Sequence, residues 1–250
     1  MLKLIKYEFK TIYREFLLVM LISIALNIGL MTRVNVWENG AIIALSVLIL
    51  TSICVATFIM SIRIFVRDLK RDTKYLIFTV PKSGYSIIGE KLICSLVMMI
   101  LSLIVGGCFL LNFAYTLGAK ISFSQIFDSR VIFYTIFGLM EYIGTLIIIY
   151  FSILLARMIT KNGRFSGILS LGVFVAFNWI WFEICKVIDK LFPQQIVFNN
   201  VLKAFTVSSV KVTVHAGGPS IFVVSTILEF ILAIILFVIS VKILDEKMDL

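Results

Sequence analysis

Six apolar stretches constrain this chain more than any other feature of it. They cover about 16–31, 40–62, 92–117, 131–156, 166–188 and 220–244, and short polar segments separate them. A run of roughly 18 or more apolar residues with few charges is long enough to cross the hydrocarbon of a bilayer as a helix. Backbone amides and carbonyls in lipid have no water to bond, so a helix that satisfies them internally is the expected conformation for each run. The reading is an all-α membrane protein with six transmembrane helices. At 61% hydrophobic residues over 250 positions, with a mean hydropathy of +1.09, a soluble domain has no use for so much apolar surface.

The basic residues orient those spans. Of the 23 Lys and Arg, 16 fall on one side if both termini are cytoplasmic: in the opening stretch, in 63–91, in 157–165 and after 241. The remaining 7 fall outside, four of them in or beside the long outer segment 189–219, where charge orients least. Both termini inside is the favoured topology. The formal charge of +9 therefore points to the anionic inner leaflet rather than to nucleic acid.

Enzyme chemistry has little to work with. Cys54, Cys94, Cys108 and Cys185 lie in or beside apolar runs, without metal-type spacing, and read as packing residues. The single histidine, His215, sits in the Gly-Pro turn at 215–219. No HExxH motif or Ser-His-Asp set occurs, and no GxxxxGK[ST] loop that would cradle a nucleotide. The chain is expected to be neither an enzyme nor a metal or cofactor binder. If ATP drives it, another chain binds the nucleotide.

Two polar stretches stand out. Residues 2–16 place Leu2, Ile5, Phe9, Ile12, Tyr13 and Phe16 on one helical face beside Lys3, Lys6, Lys10 and Arg14. That pattern predicts an interfacial elbow helix over 1–15. No small-residue cleavage site follows, so its removal as a signal peptide is not expected. The second stretch, 63–91, is the only long charged segment between spans. Leu69, Thr73, Leu76 and Val80 recur at helical spacing there, Pro81 ends the pattern, and a helix is expected to restart near Ser83–Ser86. It reads either as a docking helix for a partner or as a solvated loop that holds positive charge inside.

Ionisable residues within spans are costly and often functional. Glu141 and Glu229 lie about ten and nine residues into the fourth and sixth runs. They fit an ion pathway, a hydrogen-bonded helix contact or a watered cavity. Glu183 and Lys186 are spaced to pair along one helix face. Asn178 and Trp179 belong to the run FNWIWF, which reads as an aromatic belt or as the wall of an apolar path. Small residues suggest close helix contacts at Ser52 and Ala56, and at Ser166, Ser170, Gly172 and Ala176. In the outer segment 189–219, one or two short helices are expected over 193–205, with strand-like alternation over 206–214.

Set together, these residues resemble a family. The elbow, the six spans, the loop reading Phe65-x-Arg67-Asp68 and then Tyr75-Leu76-x-Phe78-Thr79-Val80-Pro81-x-Ser83, with Lys91-Leu92 and the ending Leu244-Asp245-Glu246-Lys247, resemble the small ABC-2-type permeases of low-GC Gram-positive bacteria. The likeness in layout covers nearly the whole chain, and its specific motifs occupy about thirty residues. Val80 stands where the family usually has Leu.

The resemblance implies a permease that pairs with a second copy or a sibling and works with two ABC ATPase subunits carrying ATP and Mg. The segment around Asp72 to Val80 would be the coupling helix, with Arg67, Asp68, Asp72, Tyr75, Leu76, Phe78, Thr79 and Pro81 as its coupling residues. The second and fifth spans would line the path, to which Glu141, Asn178, Trp179, Glu183 and Glu229 are candidate contributors. Small members are often linked to toxin and amphipathic peptide export, including the phenol-soluble-modulin exporters, at the bacterial plasma membrane. The rivals are a secondary transporter or channel using Glu141 and Glu229, and a membrane immunity or sensor protein that binds a peptide without moving it.

Overall fold

The computed structural model describes residues 2–34, 36–69, 84–118, 129–160, 166–197 and 220–247. Six long helices account for nearly all of them: α1 (Leu2–Met31), α2 (Asn39–Asp68), α3 (Gly84–Thr116), α4 (Ser129–Ile159), α5 (Ser166–Leu191) and α6 (Val223–Lys247). All six are long and apolar enough to cross a membrane, which makes this a multi-pass membrane protein. Two three-residue strands, β1 (Gln195–Val197) and β2 (Ser220–Phe222), pair antiparallel with Ile196 opposite Ile221.

Several boundaries differ from the sequence reading. α1 passes the expected elbow boundary near Phe16 without a break, because no proline occurs in it and its first glycine is Gly29. Ile12, Phe16, Met20, Ser23, Asn27 and Leu30 form one buried stripe along it at three- and four-residue spacing. The face read as lying in the headgroups is therefore packed on protein at Ile12 and Phe16. α2 runs almost two turns beyond its expected end at 62. α3 begins at Gly84, within the expected restart. Gln195–Val197 is strand where a short helix was expected, and 220–222 is strand rather than the start of the sixth span, because the two segments bond to each other. The strand-like stretch 206–214 lies outside the described residues.

The chain divides into two compact units. Among the described residues, the first holds α1, 39–61 of α2, 93–116 of α3 and the opening turns of α4. Leu30, Ile42 and Phe113 form a core there, with Val34, Leu45, Ile49, Phe109 and Leu117 packed on it. α2 and α3 run antiparallel. Leu50 packs so closely on Gly106 that a Cβ there would collide with its side chain, and the buried hydroxyls of Thr57 and Ser102 share a 2.8 Å hydrogen bond. Ser61 donates to the Thr57 carbonyl one turn earlier; of Thr57 and Ser102, one hydroxyl donates to the other and the acceptor of that bond donates to its own helix, at Ile53 or Met98, which lets both sit in an apolar interior. Of the expected Ser52 and Ala56 face, Ser52 is exposed and bonds its own helix at Leu48, and Ala56 is half-buried.

The second unit holds the last turns of α2, the first turns of α3, most of α4, and α5, β1, β2 and α6. α4 is its centre. Ile147 and Ile148 pack on Ala233 and Leu236 of α6, joined by Leu92, Phe174 and Phe177. Edge-on ring pairs extend this contact, Phe151 with Phe177 at 6.4 Å and Phe137 with Phe230 at 6.5 Å. Phe65 of α2 stacks on Tyr150 of α4 at 4.0 Å, and both are fully buried.

Candidate functional site

The expected coupling stretch 63–91 begins and ends on described helices. Asp72, Tyr75, Leu76, Phe78, Thr79 and Pro81, with the short helix expected around them, lie outside the described residues. Arg67 and Asp68 are the last two residues of α2, with Arg67 Nε 3.5 Å from the Asp68 carboxylate.

What holds the two helix ends is an ion pair. Asp68 meets the ammonium of Lys91, in the third turn of α3, and the Lys91 side chain is only 1% exposed. Glu90 lies 3.9 Å from the same ammonium and is also buried. The Asp68 anion at the end of α2 opposes its own helix dipole. Pairing with Lys91 offsets this, and it can do so only while the two helices stay together at this point. Around the pair, Ile64, Phe65, Leu69, Ile87, Ile88, Leu154, Val241 and Leu244 are all buried.

Side chains from α4 and α6 reach the same ends. The Arg157 guanidinium donates to the carbonyl of Leu69, the residue just after α2, and, at 3.5 Å, to the carbonyl of Val66 in its last turn. These carbonyls have no partner within their own helix, and a cation is the favourable charge at a C-terminus. At the start of α3 the Gly84 amide donates to the Asp245 carboxylate at 2.7 Å. An acceptor there satisfies an orphan amide, and an anion suits an N-terminus. A Cβ at residue 84 would lie 2.8 Å from that carboxylate oxygen and 3.1 Å from the Val241 carbonyl, so glycine permits the approach of α6. The sequence reading counted Arg157 among the orienting charges and quoted Asp245 within the resemblance, but gave neither a partner. The available signal was a lone charge at the end of an apolar run, which is the same for every residue that only orients a span.

The path candidates are more scattered. Glu141 on α4 and Glu229 on α6 are both half-buried, and their carboxylates interact electrostatically. The Phe137–Phe230 pair lies beside them. The expected Glu183–Lys186 pair forms at 2.9 Å on the exposed surface of α5, with the ammonium 4.4 Å above the Phe182 ring. Asn178 and Trp179 are exposed, and Asn178 donates to the Phe174 carbonyl. No residue of α5 is buried. Its small residues Gly167 and Gly172 face open space rather than a neighbouring helix. Of the expected set, Glu141 and Glu229 lie on two different helices and are the pair whose charges act on each other across them.

No protein-family model, curated protein or solved structure matches the chain.

Proposed function

We propose that this chain is the membrane-spanning subunit of an ATP-driven ABC exporter of the ABC-2 type, in which 70–83 receives force from a separate ATPase. The observation that carries the reading is the Asp68–Lys91 pair. It ties the helices on either side of 70–83 to each other among buried residues of the second unit. A segment held between two fixed posts passes on a push, whereas one that only carries charge needs no posts. The lack of a nucleotide-binding motif in the sequence fits an ATPase on another chain.

The open face of α5 supports the path. Ile168, Leu171, Val175, Trp179 and Phe182 are exposed around Asn178 at the middle of this helix. A polar side chain at that depth is disfavoured against lipid and favoured against a polar or watered surface. A second copy or a sibling permease facing this helix completes an apolar, aromatic-walled path suited to an amphipathic peptide. ATP binding changes the spacing of the two ATPase subunits, and differential contact of 70–83 with the two arrangements shifts the path between its two states. By the distribution of basic residues, this end of the helices is the cytoplasmic one.

Co-purification of the chain with an ABC ATPase tests the reading. Replacing Tyr75, Leu76 and Phe78 together by Ser is expected to remove the ATPase while leaving the permease folded. Retention of the ATPase at the wild-type level would reject docking at this segment. A second reading is favoured by the Glu141–Glu229 interaction: an ion-coupled transporter or channel. Under the exporter reading, Glu141→Gln with Glu229→Gln leaves ATP-dependent peptide uptake into inverted vesicles largely intact. Loss of uptake with the complex still assembled transfers the weight to ion coupling.

A further inference from the structure

Both helix ends that flank 70–83 are capped by a charged side chain from a different helix, and each cap has the sign that its helix end requires. Arg157 of α4 supplies the cation at the C-terminus of α2, and Asp245 of α6 supplies the anion at the N-terminus of α3. The contacts join residues 88 and 161 positions apart. Between the two caps, Asp68 and Lys91 tie α2 to α3, and the Phe65–Tyr150 stack ties α2 to α4 a turn away. The four helices therefore close a circuit: α4 to α2, α2 to α3, α3 to α6, and α6 back to α4 through Ile147, Ile148, Ala233 and Leu236.

We infer that Arg157 and Asp245 are positioning residues that hold the two ends of 70–83 as one body with α4 and α6, so that a displacement of this segment is delivered to four helices rather than to the two it connects. The inference rests on the reading of 70–83 as the segment that receives force. A segment joined only to α2 and α3 can swing about its two ends when pushed. With the ends capped from α4 and α6, swinging breaks two charge-assisted bonds and the buried pair between them. Such small clusters open and close as cooperative units. Gly84 is the point of closest approach: its missing side chain is what admits the Asp245 carboxylate and the Val241 carbonyl.

The test is hydrogen–deuterium exchange of the full-length protein in nanodiscs, read in peptides covering 62–69 and 84–91. Asp245→Ala is expected to speed exchange at 84–91 about fivefold, the typical effect of losing a helix cap. Asp245→Asn, whose amide oxygen still accepts from Gly84, is expected to stay near wild type. Arg157→Met removes bonds to the end of α2, yet is expected to speed exchange in both windows, because the ion pair carries the loosening to α3. If its effect stops at 62–69, or if Asp245→Asn behaves like Asp245→Ala, the caps are separate local contacts and the inference falls. With the ATPase present, Arg157→Met and Asp245→Ala are expected to keep it bound and hydrolysing ATP, while peptide moved per ATP drops severalfold. Unchanged transport per ATP would remove the positioning role. If the wild-type chain binds no ATPase, the docking reading fails by itself, and the exchange result still decides whether the two ends move as one body.

Discussion

Lys91→Met isolates the electrostatic part of the clamp. Methionine has nearly the length of the lysine stem, so little cavity is left, and the change is almost entirely the loss of the ammonium. What remains is the Asp68 carboxylate, 12% exposed, and the Glu90 carboxylate, 5% exposed, both within the former reach of that cation. Arg67 still stands 3.5 Å from Asp68, but its side chain is 35% exposed and its charge is correspondingly screened. Removing one partner of a buried ion pair costs about 3–5 kcal/mol, because the other charge is left uncompensated. Lys91 is almost fully buried, so the loss is expected in that range. Adding Asp68→Asn neutralises one of the two remaining carboxylates at the same volume and is expected to recover about half of the loss. Reversible unfolding in mixed micelles of increasing denaturing detergent, followed by far-UV ellipticity, measures all four members of the cycle. A loss of about 1 kcal/mol or less for Lys91→Met, the value of an exposed pair, would refute the picture of a buried clamp.

Three further outcomes follow from the packing. Phe65→Ala empties the space under the Tyr150 ring and is expected to cost about 3–5 kcal/mol in the same assay, against less for Phe65→Leu. Gly106→Ala drives a methyl into Leu50 and is expected to cost about 1–3 kcal/mol; combining it with Leu50→Ala relieves the collision, and a double variant no better than the single one would contradict the contact. Thr57→Val removes a hydrogen bond between helices at constant shape, and the expected loss is about 0.6–1.7 kcal/mol. An equal loss for Thr57→Val in a Ser102→Ala background would show that the two hydroxyls do not act as a pair.

The parts of the fold that were legible in the sequence are those set by local composition. The apolar runs locate six helices because lipid forbids an unsatisfied backbone, and the restart after Pro81 is readable because proline and the residue before it restrict the chain. The Glu183–Lys186 pair is readable because one helix turn places both side chains on one face. The elbow boundary at Phe16 was not legible. Hydropathy changes there, but nothing breaks the helix, and the buried stripe from Ile12 to Leu30 depends on which neighbours it meets. The small-residue faces were misleading for a related reason. Ser52 and Gly172 permit close approach, but within this chain no helix meets them, and the α2–α3 contact uses Gly106 and Thr57 instead.

The candidate site divides in the same way. Asp68 and Lys91 are visible in the sequence as charges at the ends of two spans, and so are Arg157 and Asp245. In one dimension all four look like residues that merely keep those ends out of the hydrocarbon. The sequence by itself determines how many helices are long and apolar enough to cross a membrane and where most of them end, because those properties depend on each segment's own composition. Only the tertiary structure decides that Arg157 meets the last carbonyls of α2, that Asp245 meets the first amide of α3, and that α5 keeps an open face. Those outcomes depend on the packing of separate helices, where a residue's partner lies many turns away and no local pattern records it.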